Sequence, residues 1–207
     1  KVQSALLEAM AERQVTIGSQ TYSLPGLFLV MATQNPIEQE GTYPLPEAQL
    51  DRFLLHVNVD YPDAAAEAEI LRLTRAEASQ APRQAPAQLS QETVFEARRD
   101  VLAIHMAEPV EQYIVQLVMA TRQPGNYSEK LAGWLEYGGS PRATIALDRC
   151  ARAHAWLEGR DFVSPEDIQN VAPDVLRHRL ILDYEAEALG IDTDTVIDNL
   201  LQRVAVP

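Results

Sequence analysis

The sequence is poor in several residue types, and each shortage excludes a class of protein. Cys150 is the only cysteine among 207 residues, which excludes an internal disulfide framework and any metal site built from several cysteines. No apolar run approaches the roughly 18 residues that a membrane-spanning helix needs. The 17 basic residues face 30 acidic ones, and a net charge of -13 argues against nucleic-acid binding, because phosphate backbones demand clustered basic side chains. We therefore expect a cytoplasmic protein.

The first residues of this chain have an amphipathic pattern. The chain begins with Lys1 rather than methionine, and apolar residues recur at helical spacing over residues 1–13, which predicts a helix. No charged-then-apolar segment typical of a secretion signal precedes this pattern. We expect the chain to be a piece of a longer protein.

The sequence pattern over the first third of the chain predicts an α/β fold. Gly18-Ser19-Gln20 separates two short β-prone segments and predicts a hairpin. The apolar runs Leu27 to Ala32 and Phe53 to Val59 predict two strands, the first of them covered on both faces as in a parallel sheet. Asp63 is placed to cap a helix that ends near Ser79. Together these elements indicate the latter half of a doubly wound domain.

The remainder reads as all-α. A segment rich in proline, glutamine and alanine around residues 80–90 predicts a linker. Ser140-Pro141 and Ser164-Pro165 each place an N-cap serine before a first-turn proline, and Gly159 is a plausible helix stop. Helical periodicity then predicts segments near 91–103, 109–122, 141–158, 165–177 and 193–204.

Two polar amides follow the first predicted strand. Ligands of open α/β sheets bind beyond the carboxyl ends of the strands, so Gln34 and Asn35 are placed to meet one. An amide there suits the positioning of the water that attacks a γ-phosphate. The alternative is a turn in which Asn35 bonds its own backbone before Pro36.

Two arginines stand in short strings of unusual composition. Arg52 ends a short helical stretch directly before a predicted strand, where a guanidinium could reach a neighbouring subunit's nucleotide; the alternative is a surface pair with Asp51 or Glu47. Arg142 falls in the first turn of a predicted helix, an end that favours anions. A cation there indicates an anionic partner outside the helix, unless it is simply an exposed arginine whose small dipole penalty is tolerated.

The wording and order of these strings resemble the MoxR family of AAA+ ATPases. The resemblance rests on Val-Gln-Ser-Ala-Leu-Leu-Glu-Ala-Met from Val2, on Gln-Asn-Pro-Ile-Glu-Gln-Glu-Gly from Gln34, and on Leu-Pro-Glu-Ala-Gln-Leu-Asp-Arg-Phe from Leu45. It continues through Tyr61-Pro62 and Ser140-Pro141-Arg142, and so spans nearly the whole chain. The implied fold is the rear part of a P-loop AAA+ parallel-sheet domain, over residues 1–125, followed by a small helical-bundle lid over residues 126–207.

The resemblance also implies roles for individual residues. Asn35 corresponds to sensor 1, which polarises the attacking water, and Gln34 lies beside it in the nucleotide site. Arg52 corresponds to the arginine finger offered to the next subunit, and Arg142 to sensor 2, which reaches the ATP phosphates from the lid. The segment from Val15 to Ser23 resembles a hairpin that touches the client protein. None of these residues is assigned to a metal.

The chain departs from the family pattern in one respect. It contains no Gly-x-x-x-x-Gly-Lys-Ser/Thr string and no acidic pair closing an apolar strand, the groups that cradle phosphates and hold magnesium. The resemblance places both before Lys1. We expect ATP and Mg²⁺ to serve the intact protein and this chain alone to be inactive.

Two functions are compatible with the sequence. The resemblance implies that the intact protein assembles as a hexameric ring and uses ATP hydrolysis to remodel or mature clients. It also implies partners that carry a von Willebrand factor A domain. The alternative is a non-catalytic helical interaction module, which would explain the strongly acidic surface and the missing phosphate loop.

Overall fold

A computed structural model describes residues 9, 10, 12–35, 45–79 and 87–207. The predicted helix over residues 1–13 lies mostly outside the described residues, although Ala9, Met10 and Glu12 are helical. Most of the predicted linker, over residues 80–86, also lies outside them. Residues 87–90 at its end have no regular structure.

The predicted hairpin is confirmed. Strands β1 (Gln14–Ile17) and β2 (Gln20–Ser23) pair antiparallel, with Val15 opposite Tyr22. Gly18 in the connecting turn has φ +67°, a left-handed conformation that a residue with a side chain rarely adopts. The hairpin projects from the fold, since all of β2 is exposed.

The prediction of two strands at Leu27 to Ala32 and Phe53 to Val59 is wrong for the structure described. Neither run has a paired strand among the described residues, and a strand requires a neighbour to satisfy its backbone groups. Nor is the first run covered on both faces, because Leu29 is 84% exposed. Both runs adopt irregular extended or bent backbone.

The helices predicted for the rest of the chain are confirmed. Asp63 caps the helix after the second apolar run by accepting a hydrogen bond from Ala66 N. Each predicted segment is found within a few residues of its expected bounds. In the described ranges after residue 12, the helices are α1 (Glu47–Leu50), α2 (Ala64–Ala78), α3 (Gln91–Ala103), α4 (Glu108–Arg122), α5 (Glu129–Ala132), α6 (Pro141–Leu157), α7 (Pro165–Leu176), α8 (Tyr184–Ala188) and α9 (Thr193–Arg203).

Short elements connect the long helices. A 3₁₀ turn, Pro124–Asn126, follows α4. Strands β3 (Leu135–Tyr137) and β4 (Ile181–Leu182) pair antiparallel and join the segment before α6 to the segment after α7. No described helix has the length and apolar character to cross a bilayer.

One hydrophobic core unites the helices from α4 onward. Leu117 of α4, Leu147 of α6, Ile168 of α7 and Leu200 of α9 are all fully buried in it. Helix α2, by contrast, buries none of its residues. The division between residues 125 and 126 stays a prediction; α4, which precedes it, shares its core with the helices that follow.

Local features mark the end of α6 and the start of α7. Glycine 159 has φ +72° directly after α6 and is the predicted stop. At the start of α7, Ser164 and Asp167 form a reciprocal capping box. The fully buried Asp167 also pairs with Arg160 and with His154, so α7 is firmly anchored at its first turn.

Candidate functional site

The loop before α6 is pinned to the end of α4. Gly139 N donates to Thr121 Oγ1 at 2.9 Å, and the Arg122 side chain donates from Nε to Gly139 O at 2.8 Å. A Cβ on Gly138 would lie 2.4 Å from Thr121 O, so the two backbones touch where only glycine fits. This contact fixes where α6 begins.

Ser140 caps α6 and also binds a residue distant in sequence. Its Oγ accepts from Arg142 N at 3.1 Å, the expected N-cap geometry. The same hydroxyl lies 2.9 Å from both carboxylate oxygens of Asp51 and donates to them. The N-terminus of α6 therefore holds an anionic group supplied by the segment after α1.

Arg142 binds the same carboxylate. Its Nη1 lies 3.0 Å from Asp51 Oδ2, so the anionic partner that the sequence indicates for Arg142 is, in this structure, Asp51. The Arg142 side chain is 52% exposed, whereas that of Asp51 is 16% exposed. Arg142 thus offers the rest of its guanidinium to solvent at a helix end that already favours anions.

A second arginine binds the other carboxylate oxygen of Asp51. Arg179, in the turn between α7 and β4, places Nε 3.2 Å from Asp51 Oδ1. Burial raises the pKa of the Asp51 carboxyl, but the Ser140 hydrogen bond and the two guanidinium groups lower it by more. The pKa of Asp51 is consequently below its ordinary value, and the group is a carboxylate at neutral pH.

Arg52 follows Asp51 directly and is half-buried in the turn that ends α1. Its backbone N donates to Gln49 O. Within the described ranges, no hydrogen bond or ion pair joins its side chain to another residue, so neither Asp51 nor Glu47 forms the local pair considered from the sequence. Arg52 is the next residue in the chain after Asp51, which binds Ser140, Arg142 and Arg179 and forms the Asp51 cluster with them.

Gln34 and Asn35 lie on a different stretch of chain. Both are exposed and close the irregular segment that follows β2. They are not members of the Asp51 cluster. The rest of their predicted motif, residues 36–41, lies outside the described residues. The structure therefore brings Arg142 beside the turn that carries Arg52, and leaves the predicted role of the two amides a prediction.

Arg179 was not predicted from the sequence, and the roles predicted for Asp51 and Ser140 were only local. Arg179 stands in Arg177-His178-Arg179, a basic string just after a helix, which is a common place for surface cations. Its burial and its partner more than a hundred residues away have no sequence signal. Among the described residues, no three potential metal ligands come together.

Replacing Gly138 by alanine should destabilise the protein by about 1–3 kcal/mol, because the new Cβ has to displace the Thr121 backbone. The urea unfolding midpoint measures this effect. Gly125 is the matched control, since a Cβ there meets only the Ala132 side chain at 3.7 Å, an ordinary contact. Equal midpoints for the two variants would contradict the close approach at Gly138.

Two parts of the chain match models of known protein families. Residues 1–55 match the profile of the "ATPase family associated with various cellular activities (AAA)", and residues 133–200 match that of the "AAA lid domain". Over its whole length the chain is 46% identical to chaperone MoxR1 of Mycobacterium tuberculosis and 42% identical to YeaC of Bacillus subtilis. The chain belongs to the MoxR family of AAA+ ATPases. Its fold is that of an AAA+ α/β part followed by a helical lid.

A solved structure supports the same fold. The crystal structure of a candidate ATPase from Cytophaga hutchinsonii covers the whole of this MoxR-family chain with a TM-score of 0.92 and 48% identity. The chain spans 62% of that protein, 62% of YeaC and 54% of chaperone MoxR1. The lid profile begins at residue 133 and includes Arg142 and Arg179, whereas Asn35 and Arg52 fall in the other match.

Proposed function

We propose that the full-length protein is an ATP hydrolase that couples ATP binding and hydrolysis to the remodelling or maturation of client proteins. Family membership supports the ATPase in preference to a non-catalytic interaction module. The observation that carries the proposal is the N-terminus of α6, where Arg142 and Ser140 hold an oxygen anion beside the turn that carries Arg52.

The donors at this helix end fit a phosphate. Ser140 and Arg142 already bind a carboxylate, whose charge and oxygen geometry resemble those of a phosphate group. Arg142 uses Nη1 for Asp51 and is half-exposed, so its remaining N–H groups face outward. Arg142 is then the sensor 2 residue, which holds phosphate oxygens and reports their presence to the lid.

The remaining assigned residues act on the attacking water and on the charge of the reaction. ATP with Mg²⁺ supplies, when bound, the phosphoryl group that water displaces. Asn35 orients that water, and Gln34 lies beside it in the same site. Arg52 reaches the ATP of a neighbouring subunit, where its guanidinium neutralises charge that develops in the transition state. The absence of any described side-chain partner for Arg52 supports this trans role.

The assembly and its partners follow from the same assignment. A finger that acts in trans requires a ring of identical subunits, and we propose a hexamer in the cytoplasm. The β1–β2 hairpin is the candidate client contact, because it projects with Ile17 and Tyr22 exposed. Clients or partners with a von Willebrand factor A domain belong to the same proposal.

We further propose that the present chain does not hydrolyse ATP by itself. Its 207 residues hold no phosphate-binding loop, and an arginine cluster alone supplies neither the backbone cradle nor the oxygen ligands that Mg²⁺ prefers. Measurements of ATP binding and turnover therefore require the full-length protein.

Replacing Arg142 by alanine in the full-length protein should raise the Kd for ATP about tenfold, the effect of losing a charge-assisted hydrogen bond of roughly 1.5 kcal/mol. Titration with a fluorescent ATP analogue measures it. The control is Arg149→Ala, which removes an exposed arginine from the same helix. An unchanged Kd for the Arg142 variant would eliminate the sensor 2 assignment.

A further inference from the structure

Arg179 is almost completely buried beneath the turn that ends α1. Its side chain is 2% exposed, and it donates to several backbone carbonyls besides the Asp51 carboxylate. Nη2 donates to Phe53 O at 2.5 Å and to Asp51 O at 3.2 Å, and Nη1 donates to Leu54 O at 3.3 Å. A further donation to Val175 O ties the guanidinium to the end of α7.

The carbonyls that Arg179 binds lie on both sides of Arg52 along the chain. Arg179 binds the carbonyl on the residue before it and the carbonyls on the two residues after it, and also the carboxylate of Asp51. A planar guanidinium fixes its acceptors in a defined geometry, since its donors form a rigid fork. The backbone from which the Arg52 side chain projects is therefore held from both sides by one residue of the lid.

Neighbouring residues extend the same attachment. His178 Nε2 lies 3.2 Å from Phe53 O, and His56 N donates to Asp174 O at 2.8 Å. Arg177 Nη1 donates to His56 O at 2.5 Å. Five backbone groups of the segment over residues 51–56 thus bond to α7 or to the α7–β4 turn, where a strand would use a neighbouring strand. They are Asp51 O, Phe53 O, Leu54 O, His56 O and His56 N.

Burying the Arg179 guanidinium costs free energy that a purely structural contact could avoid. Removing a guanidinium from water carries a large desolvation penalty, and apolar residues of similar volume often replace buried ion pairs without loss of stability. The lid core, built from α4, α6, α7 and α9, is already apolar and continuous. Arg179 binds the backbone on both sides of Arg52, and these contacts hold the Arg52 side chain in position.

We propose that Arg179 is a positioning residue for Arg52, so that the lid of each subunit sets the arginine finger that the subunit offers to its neighbour. The inference rests on the proposed trans role of Arg52. Because Asp51 binds both Arg142 and Arg179, one carboxylate connects the lid residue that reads the subunit's own ATP with the finger that acts on the next one.

The test separates a subunit's own site from its finger by mixing full-length variants. Arg142→Ala subunits have an impaired nucleotide site and an intact finger, whereas Arg52→Ala subunits have the reverse. The assay uses ATP well below the raised Kd of the Arg142→Ala variant, so that each variant alone is impaired. Mixed rings of the two contain interfaces with an intact site and an intact finger, so ATPase activity should rise above that of either variant alone. This mixture tests the proposed function itself, and no recovery would reject the trans role before Arg179 is considered.

Arg179→Lys is then mixed with each variant in turn. Lysine keeps the positive charge but lacks the forked donors of the guanidinium. Alone, this substitution should lower ATP turnover about 10²-fold, the effect of misplacing a reacting group by about 1 Å, and leave the Kd for ATP unchanged. As a finger defect, it should recover activity with Arg142→Ala subunits and none with Arg52→Ala subunits. Recovery with Arg52→Ala subunits, or recovery with neither, would overturn the proposal.

Folding controls keep the result interpretable. Arg152→Lys changes another mostly buried lid arginine, which binds Asp148 and a backbone carbonyl far from Arg52, and should leave turnover unchanged. Arg179→Gln, which retains two N–H donors, is the second variant. If both Arg179 variants fail to fold while Arg152→Lys folds, Arg179 has a structural role and the proposal is overturned.

Discussion

Replacing Arg52 by alanine in the full-length protein should reduce ATP turnover about 10³-fold or more, with little change in the Kd for ATP. The reason is that a finger acts on charge that develops only in the transition state, so its removal spares ground-state binding. The structure supports the assignment because the described neighbours of Arg52 leave its guanidinium without a partner, whereas Asp51 is fully engaged. Steady-state hydrolysis and nucleotide titration measure the two quantities.

Two further variants define the Arg52 experiment. Arg52→Lys should also lose most of the turnover, because an ammonium cannot present two parallel donors to a phosphoryl group. Arg99→Ala removes an exposed arginine of α3, 70% exposed and 3.9 Å from Glu96, and should leave turnover near the wild-type value. Unchanged hydrolysis in Arg52→Ala would remove the finger assignment and the proposal for Arg179 with it.

The helical part of the fold could be predicted because its signals are local. Ser140 and Ser164 stand before first-turn prolines, and the structure begins helices at the following residues. Apolar periodicity then identifies the buried faces of α4, α6, α7 and α9, whose apolar side chains at helical spacing lie in the core. These signals require no knowledge of distant residues.

The secondary structure of the two apolar runs, Leu27 to Ala32 and Phe53 to Val59, could not be predicted from composition. An apolar run predicts a strand only if another strand lies beside it, and pairing is a non-local property. In the second run, the partners of Phe53 and Leu54 are side chains of the α7–β4 turn more than a hundred residues later. Val59 is 90% exposed, so burial does not enforce an extended ladder there either.

Only the part of the site that depends on local signals could be predicted from the sequence. The position of Arg142 follows from the helix start at Pro141, and the expectation of an anionic partner follows from the helix dipole. The identity of that partner, Asp51, depends on the approach of two segments separated by about ninety residues. Arg179 carries no helical or strand signal at all. Its role emerges only from its burial and its carbonyl contacts.

Replacing Asp51 by alanine should destabilise the full-length protein by about 3–5 kcal/mol, because breaking a buried ion pair leaves the other charge uncompensated. Arg142 is half-exposed and can recover water, but the Arg179 side chain is 2% exposed and cannot. Ser140 also loses the acceptor of its hydroxyl. The midpoints of thermal and urea unfolding measure the loss, and Asp148→Ala, which removes a more exposed carboxylate of α6, should cost much less.

The pH dependence provides an independent check on Asp51. The pKa of its carboxyl is lowered in the folded protein, so its stabilising contribution is present above the unfolded pKa of about 3.9 and is lost as the pH falls through the folded value. The stability difference between the wild type and Asp51→Asn should therefore be constant near neutral pH and shrink below about pH 4. Asparagine keeps an oxygen for Ser140 but no charge, so a difference that persists in acid would show that shape, not charge, holds the cluster together.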